Sequence, residues 1–186
     1  MNSSSYLVLM HYPTVDRAGK VITSAITALD VHDFSRLART YGLGGVFVQT
    51  NLPKQMELME RLLGHWIGGR GGEANADRKF ALECMAFAPT LDDVVAEVSA
   101  RHGTPPQIAM TSARDVGVII KSFAETRESL EKSKQPFLLL FGTASGLAPE
   151  VVEKCDWVIE PIGTPTDYNH LSVRSAASIS VDRLFG

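Results

Sequence analysis

Short apolar runs and amphipathic stretches alternate along the chain from residue 6 to residue 185. The apolar runs predict six strands, at residues 6–12, 45–49, 80–88, 107–110, 137–141 and 157–160. The stretches between them have helical spacing, and we predict helices at residues 33–41, from Pro53, at 90–102, at 118–134, from Pro149 and at 171–185. This alternation is typical of an α/β domain with a mostly parallel six-stranded sheet and helices on both faces.

Two segments interrupt the alternation. Residues 13–30 are small and polar and predict a loop, with at most a short turn of helix. The glycines of residues 68–72, followed by polar residues, predict the most flexible segment of the chain. Because ligands of parallel sheets bind beyond the carboxyl ends of strands, the loops after the second, fourth, fifth and sixth strands are candidate sites.

Composition favours one globular domain. The 186 residues are 45% hydrophobic and 21% charged, which is enough apolar material for one core and too much for a disordered chain. No apolar run approaches the ~20 residues that span a bilayer. The amino terminus lacks the basic and apolar regions of a signal peptide. We therefore expect a cytoplasmic protein that does not bind membranes.

Charge, cysteines and histidines narrow the function further. A net charge of −3 argues against a strongly basic nucleic-acid-binding domain, although a local basic patch, doubled by dimerisation, can still steer RNA. Cys84 and Cys155 could form a disulfide, but two buried thiols are the favoured interpretation in a reducing compartment. The five histidines show no metal-ligand spacing, so we expect no metal.

The common catalytic fingerprints do not occur. No G-x-G-x-x-G follows the first strand and no G-x-x-x-x-G-K-[ST] is present, which argues against a Rossmann dinucleotide site and a P-loop. Ser145 lies one position away from the centre of a G-x-S-x-G elbow. A serine hydrolase is therefore disfavoured.

Arg36 and Arg39 form the first candidate constellation. They are three residues apart on a predicted helix and share one face, and Asp33 lies a further turn back. A solvated ladder of salt bridges would explain this spacing. A pair of guanidinium groups that binds a phosphate or a substrate oxygen would explain it as well. Spacing alone leaves both interpretations open.

Glycine turns after the fifth and sixth strands form the second candidate constellation. Gly142 ends a buried strand and Gly146 follows four residues later, which lets the backbone approach a ligand closely. Gly163 follows the sixth strand, and residues 171–177 open a helix with small side chains. Each turn alone is common, but their occurrence together in this order is specific.

These segments resemble the SPOUT class of RNA methyltransferases, which use S-adenosylmethionine as cofactor. The matching residues are 30–42, 140–147 and 169–176, and the resemblance extends over essentially the whole chain. It implies a single SPOUT-like domain over residues 1–186, with a deep trefoil knot that binds the cofactor in roughly residues 106–186. Because knots are rare in proteins, this part of the fold depends on the resemblance alone.

The resemblance also implies which residues hold the cofactor. Backbone after the fifth strand would surround its methionine or ribose part, and residues after the sixth strand would line the adenine. The last helix, capped by Asn169, would close the pocket. The implied cofactor-binding residues are Thr111, Ser112, Leu140, Phe141, Gly142, Thr143, Gly146, Ile159, Glu160, Pro161, Ile162, Asn169, Leu171, Ser172 and Ser175.

The catalytic assignment that the resemblance implies has two alternatives. The ribose-methylating branch has an arginine in its first motif, which matches Arg36 through the following glycines or Arg39 through the Arg-Thr dipeptide. Asp33 or Asp30 could accept a proton from a base nitrogen. Residues 143–145 lack the glutamate of the ribose branch, and their loop is one residue shorter. Ribose oxygen and base nitrogen therefore both stay open as the methylated atom.

RNA binding and dimerisation complete the expectations. We predict contacts to RNA (tRNA or rRNA) from Arg61, Arg70, Arg78 and Lys79, although a solvated loop at residues 64–79 would explain these charges equally well. Because SPOUT proteins generally act as dimers, we expect a homodimer. One alternative is a non-catalytic knotted protein that binds RNA or regulates and keeps the cofactor pocket. Another is a methyltransferase that acts on a protein or a small molecule.

Overall fold

A computed structural model of the chain describes residues 2–113, 119–163 and 168–186. The strands are β1 (Ser5–Met10), β2 (Thr14–Val15), β3 (Val21–Ile22), β4 (Gly45–Gln49), β5 (Met85–Ala88), β6 (Gln107–Thr111), β7 (Ile120–Lys121), β8 (Phe137–Gly142) and β9 (Trp157–Ile159). The helices are α1 (Ala28–Thr40), α2 (Pro53–Ile67), α3 (Arg70–Ala74), α4 (Ala76–Leu82), α5 (Leu91–His102), α6 (Phe123–Lys132), α7 (Pro149–Val152) and α8 (Val173–Phe185).

One parallel sheet organises the fold. Its strand order is β5-β4-β1-β8-β6-β9-β7, and every neighbouring pair is parallel. Met10 lies opposite both Gln49 and Gly142, so the three strands β1, β4 and β8 end at the same edge. The predicted α/β fold is confirmed, but the sheet has seven strands where six were predicted. The additional strand, β7, has only two residues, and it falls in the segment that the sequence analysis predicts as the start of the helix at residues 118–134.

Helices cover both faces of the sheet because strand side chains alternate between them. In β1, Leu7 and Leu9 pack with Phe34 in one core cluster, which lies under α1, α2, α6 and α8. Val8 and Met10 pack in the other cluster, under α5 and α7. Both faces of β1 are buried, which explains why such a central strand reads as a continuous apolar run.

Residues 13–30 contain more structure than the predicted loop. β2 and β3 form an antiparallel hairpin in which Thr14 lies opposite Ile22. α1 then begins at Ala28, well before the predicted start, because Thr27 and Asp30 form a capping box at its first turn. The loop prediction is wrong for these parts, since two-residue strands are too short to show a periodic pattern.

The glycine-rich segment is helical and packed, so the prediction of a flexible loop is wrong. α3 and α4 run through it, and Gly71 and Gly72 are buried. A Cβ atom at Gly71 would lie 2.8 Å from Cε3 of Trp66, so only glycine permits this packing. α4 also includes residues 80–82, which were assigned to a strand; that strand begins only at Met85.

Two further helices begin later than predicted. The helix expected at residues 118–134 begins at Phe123 behind a Ser122 capping box, and residue 118 lies outside the described residues. The last helix begins at Val173, with Ser172 as its N-cap. Within the described ranges, no helix has the length and apolar character needed to cross a membrane.

Cys84 and Cys155 are free thiols, which confirms the favoured interpretation. Both are half-buried rather than fully buried. Burial raises the pKa of the Cys155 thiol to about 12, so it stays protonated and unreactive at neutral pH.

Candidate functional site

A cavity of about 1250 Å³ opens at the carboxyl edge of the sheet. Its walls come from the segments that follow β6, β8 and β9, from the start of α8 and from the β2–β3 hairpin. This is the edge at which ligands of parallel sheets bind. The loops after the fourth, fifth and sixth predicted strands contribute to the walls. The loop directly after β4, residues 50–52, does not line the cavity.

Most of the residues expected to bind cofactor lie in this wall. The lining includes Thr111, Ser112, Phe141, Gly142, Thr143, Gly146, Glu160, Ile162, Asn169, Leu171 and Ser172. The side chains of Leu140 and Ile159 are fully buried in the sheet, so only their backbone could face a ligand. Pro161 and Ser175 are exposed outside the wall.

The loop after β8 presents backbone rather than side chains to the cavity. A Cβ atom at Gly142 would lie 2.9 Å from Cγ of Leu147, so this position has no room for a side chain. Ala144 and Gly146 have positive φ angles of 54° and 121°. The Gly146 carbonyl is bonded to the Val15 N–H and the Gly146 N–H to the Thr143 carbonyl, so the backbone that remains to hydrogen-bond a ligand is that near Gly142 and Ala144.

The hairpin is the part of the wall that sequence reasoning missed. Val15 and Arg17 line the cavity, although residues 13–30 showed only polar loop character. No local pattern could have revealed this, because the pairing of the hairpin with the loop after β8 joins segments more than a hundred residues apart.

A chain of hydrogen bonds connects the end of β1 to the cavity wall. Nδ1 of His11 lies 2.8 Å from Oγ of Ser24, which bonds to Oγ1 of Thr143. The Thr143 hydroxyl donates its single proton to the Met10 carbonyl. Ser24 must therefore donate to Thr143, and His11 must donate to Ser24 from a protonated Nδ1. Nε2 of His11 then carries a lone pair.

His11 is a buried, neutral imidazole. It is 1% exposed, and burial lowers its pKa to about 4 against the opposing influence of the Asp30 carboxylate. Its Nε2 atom is buried and has no hydrogen-bond partner among the described residues. The ring is therefore a hydrogen-bond acceptor at neutral pH that the protein itself leaves unsatisfied.

Arg174 connects α8 to α1 beside the cavity. Its guanidinium lies 3.1 Å from Oδ1 of buried Asp30 and 3.2 Å from Oδ2 of Asp33. The neighbouring residues Val173 and Ala176 line the cavity. Asp33, a catalytic candidate, is thereby held in a fixed orientation at the first turns of α1.

The structure separates the two candidate arginines. Nε of Arg39 donates to the Phe80 carbonyl at 2.9 Å, and its guanidinium lies 4.3 Å from the centre of the Phe80 ring. Arg39 also lines a cavity of about 180 Å³ with Gly45 and Met85, at the amino ends of β4 and β5. It therefore lies at the opposite edge of the sheet from the large cavity. Arg36 is exposed one turn closer to the carboxyl edge, with no side-chain partner within the described ranges.

Asn169 does not cap the last helix, so that expectation is wrong. The cap is Ser172, whose hydroxyl accepts the Ser175 backbone N–H at 3.2 Å. A serine hydroxyl three residues closer to the helix reaches the first-turn amides directly. Nδ2 of Asn169 instead lies 3.5 Å from the Ala113 carbonyl, across the cavity wall.

The four cations expected to contact RNA have different surroundings. Arg61 is paired with Glu57 at 2.6 Å. Arg78 lies over the Trp66 ring at 4.7 Å, and His32 packs edge-on against the same ring. Burial lowers the pKa of His32, and the charge of Arg78 lowers it further.

Arg70 and Lys79 sit on the same helix pair as Arg78, on α3 and α4. Neither forms an ion pair with a described residue, and Arg70 is exposed. In the described part of the chain, no group of three or more histidine, cysteine, aspartate or glutamate side chains could hold a metal ion.

Known proteins similar to this chain include RNA methyltransferases. A family model described as SAM-dependent RNA methyltransferase matches residues 4–186. A tRNA (guanine-N(1)-)-methyltransferase of Oleidesulfovibrio alaskensis is 42% identical over 181 residues, which make up 97% of this chain and 42% of that protein. A protein of Aquifex aeolicus without a functional name is 32% identical over 185 residues, which cover 100% of this chain and 90% of that protein.

Solved structures resemble the whole chain in fold. TrmJ from Z. mobilis has a TM-score of 0.65 at 14% identity and covers 96% of this chain and 66% of its own. The SpoU methyltransferase AviRb from Streptomyces viridochromogenes, solved with AdoMet, has a TM-score of 0.57 at 15% identity, with coverage of 97% and 56%. At these identities the likeness concerns the fold alone. The chain spans less than half the length of the Oleidesulfovibrio relative.

Proposed function

Because the chain belongs to the family of SAM-dependent RNA methyltransferases, we propose that it binds S-adenosylmethionine in the cavity at the carboxyl edge and methylates an RNA. The observation that carries the proposal is the loop after β8, which faces the cavity with backbone and has no room for a side chain at Gly142. A cavity of about 1250 Å³ is large enough for a cofactor together with a nucleotide.

The residues present fit this cofactor. Apolar side chains of Ile162, Leu171 and Val173 offer a slot for a flat ring, and the backbone at Gly142 and Ala144 in the cavity wall offers polar contacts. When bound, the cofactor supplies a methyl group on a positively charged sulfur. The chain's own task is to hold the acceptor atom in line with that methyl group and to accept one proton.

We assign the catalytic role to Arg36 rather than Arg39. The Arg39 guanidinium is engaged with Phe80 at the opposite edge. Arg36 is exposed and has no partner among the described side chains, so it can bind a substrate oxygen and favour loss of its proton. Asp33, oriented by Arg174, lies one turn away and would position the substrate or accept the proton.

We propose tRNA as the substrate to test first, because the Oleidesulfovibrio relative is named as a tRNA methyltransferase. More than half of that relative lies outside the match, so its guanine-N1 specificity does not transfer to this chain. Alkaline hydrolysis of methylated RNA decides the acceptor atom. A methyl group on ribose oxygen blocks cleavage at that nucleotide, and a methyl group on a base nitrogen leaves the backbone sensitive.

Residues 1–186 would form one domain, with the cofactor-binding knot in roughly residues 106–186, acting in the cytoplasm as a homodimer. Support for the dimer comes from two exposed apolar side chains: Ile119, beside β7, is 69% exposed, and Tyr168, in the cavity wall, is 72% exposed. Beside Ile119, the edge strand β7 has no neighbour on one side among the described strands. A second copy would cover both features. Light scattering should give twice the mass of the 20.2 kDa chain.

Calorimetric titration of S-adenosylmethionine and S-adenosylhomocysteine tests the cofactor site. We expect micromolar binding by the wild-type protein and no measurable binding by Gly142→Val, whose side chain would collide with Leu147. Gly64→Val is the matched control, because that glycine has open space around it. Binding that survives in Gly142→Val would contradict the proposed site. Binding without methyl transfer to any RNA would favour the non-catalytic alternative.

A further inference from the structure

The β2–β3 hairpin is fastened to the loop after β8. The backbone N–H of Val15 donates to the Gly146 carbonyl, and the Ser145 N–H donates to the Val15 carbonyl, both at 2.9 Å. The Ala148 N–H donates to the Pro13 carbonyl at 3.1 Å. The hydroxyl pair Ser24–Thr143 adds a side-chain connection to the same loop. The hairpin is therefore a fixed wall of the cavity.

In the turn of this hairpin the Asp16 carboxylate forms hydrogen bonds, whereas the Arg17 guanidinium takes no part in the turn. Oδ1 of Asp16 accepts the backbone N–H groups of Ala18 and Lys20 at 2.8 and 3.0 Å, which closes the turn. Arg17 follows Asp16, lines the cavity and is exposed. Its guanidinium forms no ion pair within the described ranges. A positive group is thus held at the mouth of the cavity by a turn that does not need its charge.

The cavity is electrically polarised from one side to the other. Among the described lining residues, Arg17 is the single lysine or arginine and Glu160 the single carboxylate. Arg17 lies on the hairpin that is paired with the loop after β8, and Glu160 follows β9; these strands are two positions apart in the sheet, or about 10 Å. Ile162, which offers part of the apolar slot, also follows β9 and lies on the Glu160 side. A carboxylate would be repelled there and attracted to the hairpin.

We infer that Arg17 binds the carboxylate of the cofactor's methionyl group, so that the amino-acid end of the cofactor faces the β2–β3 hairpin and the ring end faces β9. This inference rests on the proposed function. It assigns a binding role to a hairpin that sequence reasoning took for a loop. An exposed guanidinium can form two parallel hydrogen bonds to a carboxylate, which a neutral side chain cannot do.

Calorimetry with two ligands isolates this contact. S-adenosylhomocysteine carries the amino-acid carboxylate, and 5′-methylthioadenosine lacks the whole amino-acid end. We expect Arg17→Ala to weaken S-adenosylhomocysteine about tenfold and to leave 5′-methylthioadenosine within twofold. Arg17→Lys should keep part of the affinity. Lys20→Ala is the matched control, because Lys20 takes part in the turn through its backbone N–H and carbonyl, which the substitution keeps.

Three results would overturn the inference. Unchanged affinity for S-adenosylhomocysteine in Arg17→Ala would show that the carboxylate is bound elsewhere. An equal loss for both ligands would show that Arg17 acts on the shape of the wall. A loss confined to binding of labelled tRNA would reassign Arg17 to the RNA phosphates. If the wild-type protein bound neither ligand, the proposed function would fail together with the inference. In the three results above, the wild-type protein still binds the cofactor product, so only the role of Arg17 is lost.

Discussion

The two edges of the parallel sheet differ in how their charged side chains are engaged. At the amino edge neighbours bind them: Arg39 donates to the Phe80 carbonyl, and Oδ2 of Asp156 accepts the Ile108 N–H at 2.7 Å. The Tyr6 hydroxyl is similarly bonded to a ring nitrogen of α5. These contacts fix the starts of strands and the ends of helices.

At the carboxyl edge, Arg17 forms no ion pair with a described residue, and Nε2 of buried His11 has no partner among them. Arg36 lies on α1, one turn closer to this edge than Arg39, and is likewise without an ion pair to a described residue. Yet the elements that carry them are well fixed, by hairpin pairing and by Arg174 across α1 and α8. Free bonding capacity on a rigid frame is what a ligand site requires. The difference underlies the different roles that we propose for Arg36 and Arg39, which lie three residues apart.

The largest expected effect separates these two arginines. Arg36→Ala should reduce methyl transfer to unmodified tRNA transcripts at least about a hundredfold, because it removes the group that activates the acceptor. Its affinity for S-adenosylhomocysteine should stay within a few fold. Arg39→Ala should transfer methyl within a few fold of wild type and lose about 1 kcal/mol of unfolding free energy with its contacts to Phe80.

Labelled-methyl transfer and denaturant unfolding of both variants measure these effects. Arg36→Lys distinguishes charge from geometry, since it keeps the charge and loses the planar fork. The reverse pattern, with transfer lost in Arg39→Ala and retained in Arg36→Ala, would contradict the assignment of roles to the two edges.

The next effect concerns stability and pH. Burial lowers the pKa of His11 to about 4 from the ordinary 6.5. As pH falls below 6.5, the His11 imidazole is protonated in the unfolded chain but stays neutral in the folded protein. The free energy of unfolding therefore decreases until about pH 4. Full stability lies above pH 6.5, and the loss from this group alone is about 3 kcal/mol.

His11→Gln should remove this component, so that stability falls less steeply between pH 6.5 and 4 than in the wild-type protein. A glutamine amide can still donate to Ser24, which keeps the hydrogen-bond chain. His170→Gln, at an exposed position, should leave the slope unchanged. Identical slopes for His11→Gln and wild type in urea titrations at several pH values would show that His11 is not held neutral.

The smallest effect compares two cations on the α2–α4 surface. Arg78→Ala should weaken tRNA binding about fivefold, because its guanidinium on Trp66 is free to contact phosphates or stack on a base. Arg61→Ala should change it less than twofold, since Arg61 is already paired with Glu57. Fluorescence anisotropy at two salt concentrations measures the tRNA affinity of both variants. Equal losses of affinity would show that the two cations contribute alike and that Arg78 makes no specific contact.

The elements that could be predicted are those that leave a local pattern of hydrophobic and polar residues in the sequence. Strands such as residues 45–49 and 137–141 are buried on both faces and therefore read as apolar runs, and the helix predicted at residues 90–102 is present, with a capping box at Thr90. The glycine turn at Gly142 was recognised because close approach requires that residue. The hairpin was missed because its pairing with residues 145–148 depends on distant backbone rather than on side-chain type.

Helices α3 and α4 were missed for a different reason. Glycines usually indicate flexibility, but Gly71 is required by contact with Trp66, a tertiary effect. The proposed choice between Arg36 and Arg39 likewise rests on the fold, because the sequence alone does not show that Arg39 lies at the amino edge.

A crystal structure of the protein with S-adenosylhomocysteine tests the central claim most directly. The account predicts the ligand in the carboxyl-edge cavity, against the backbone of Gly142, with its carboxylate on the hairpin side and its adenine on the β9 side. A ligand bound at the amino edge, or bound in the cavity with no contact to the loop after β8, would contradict the account.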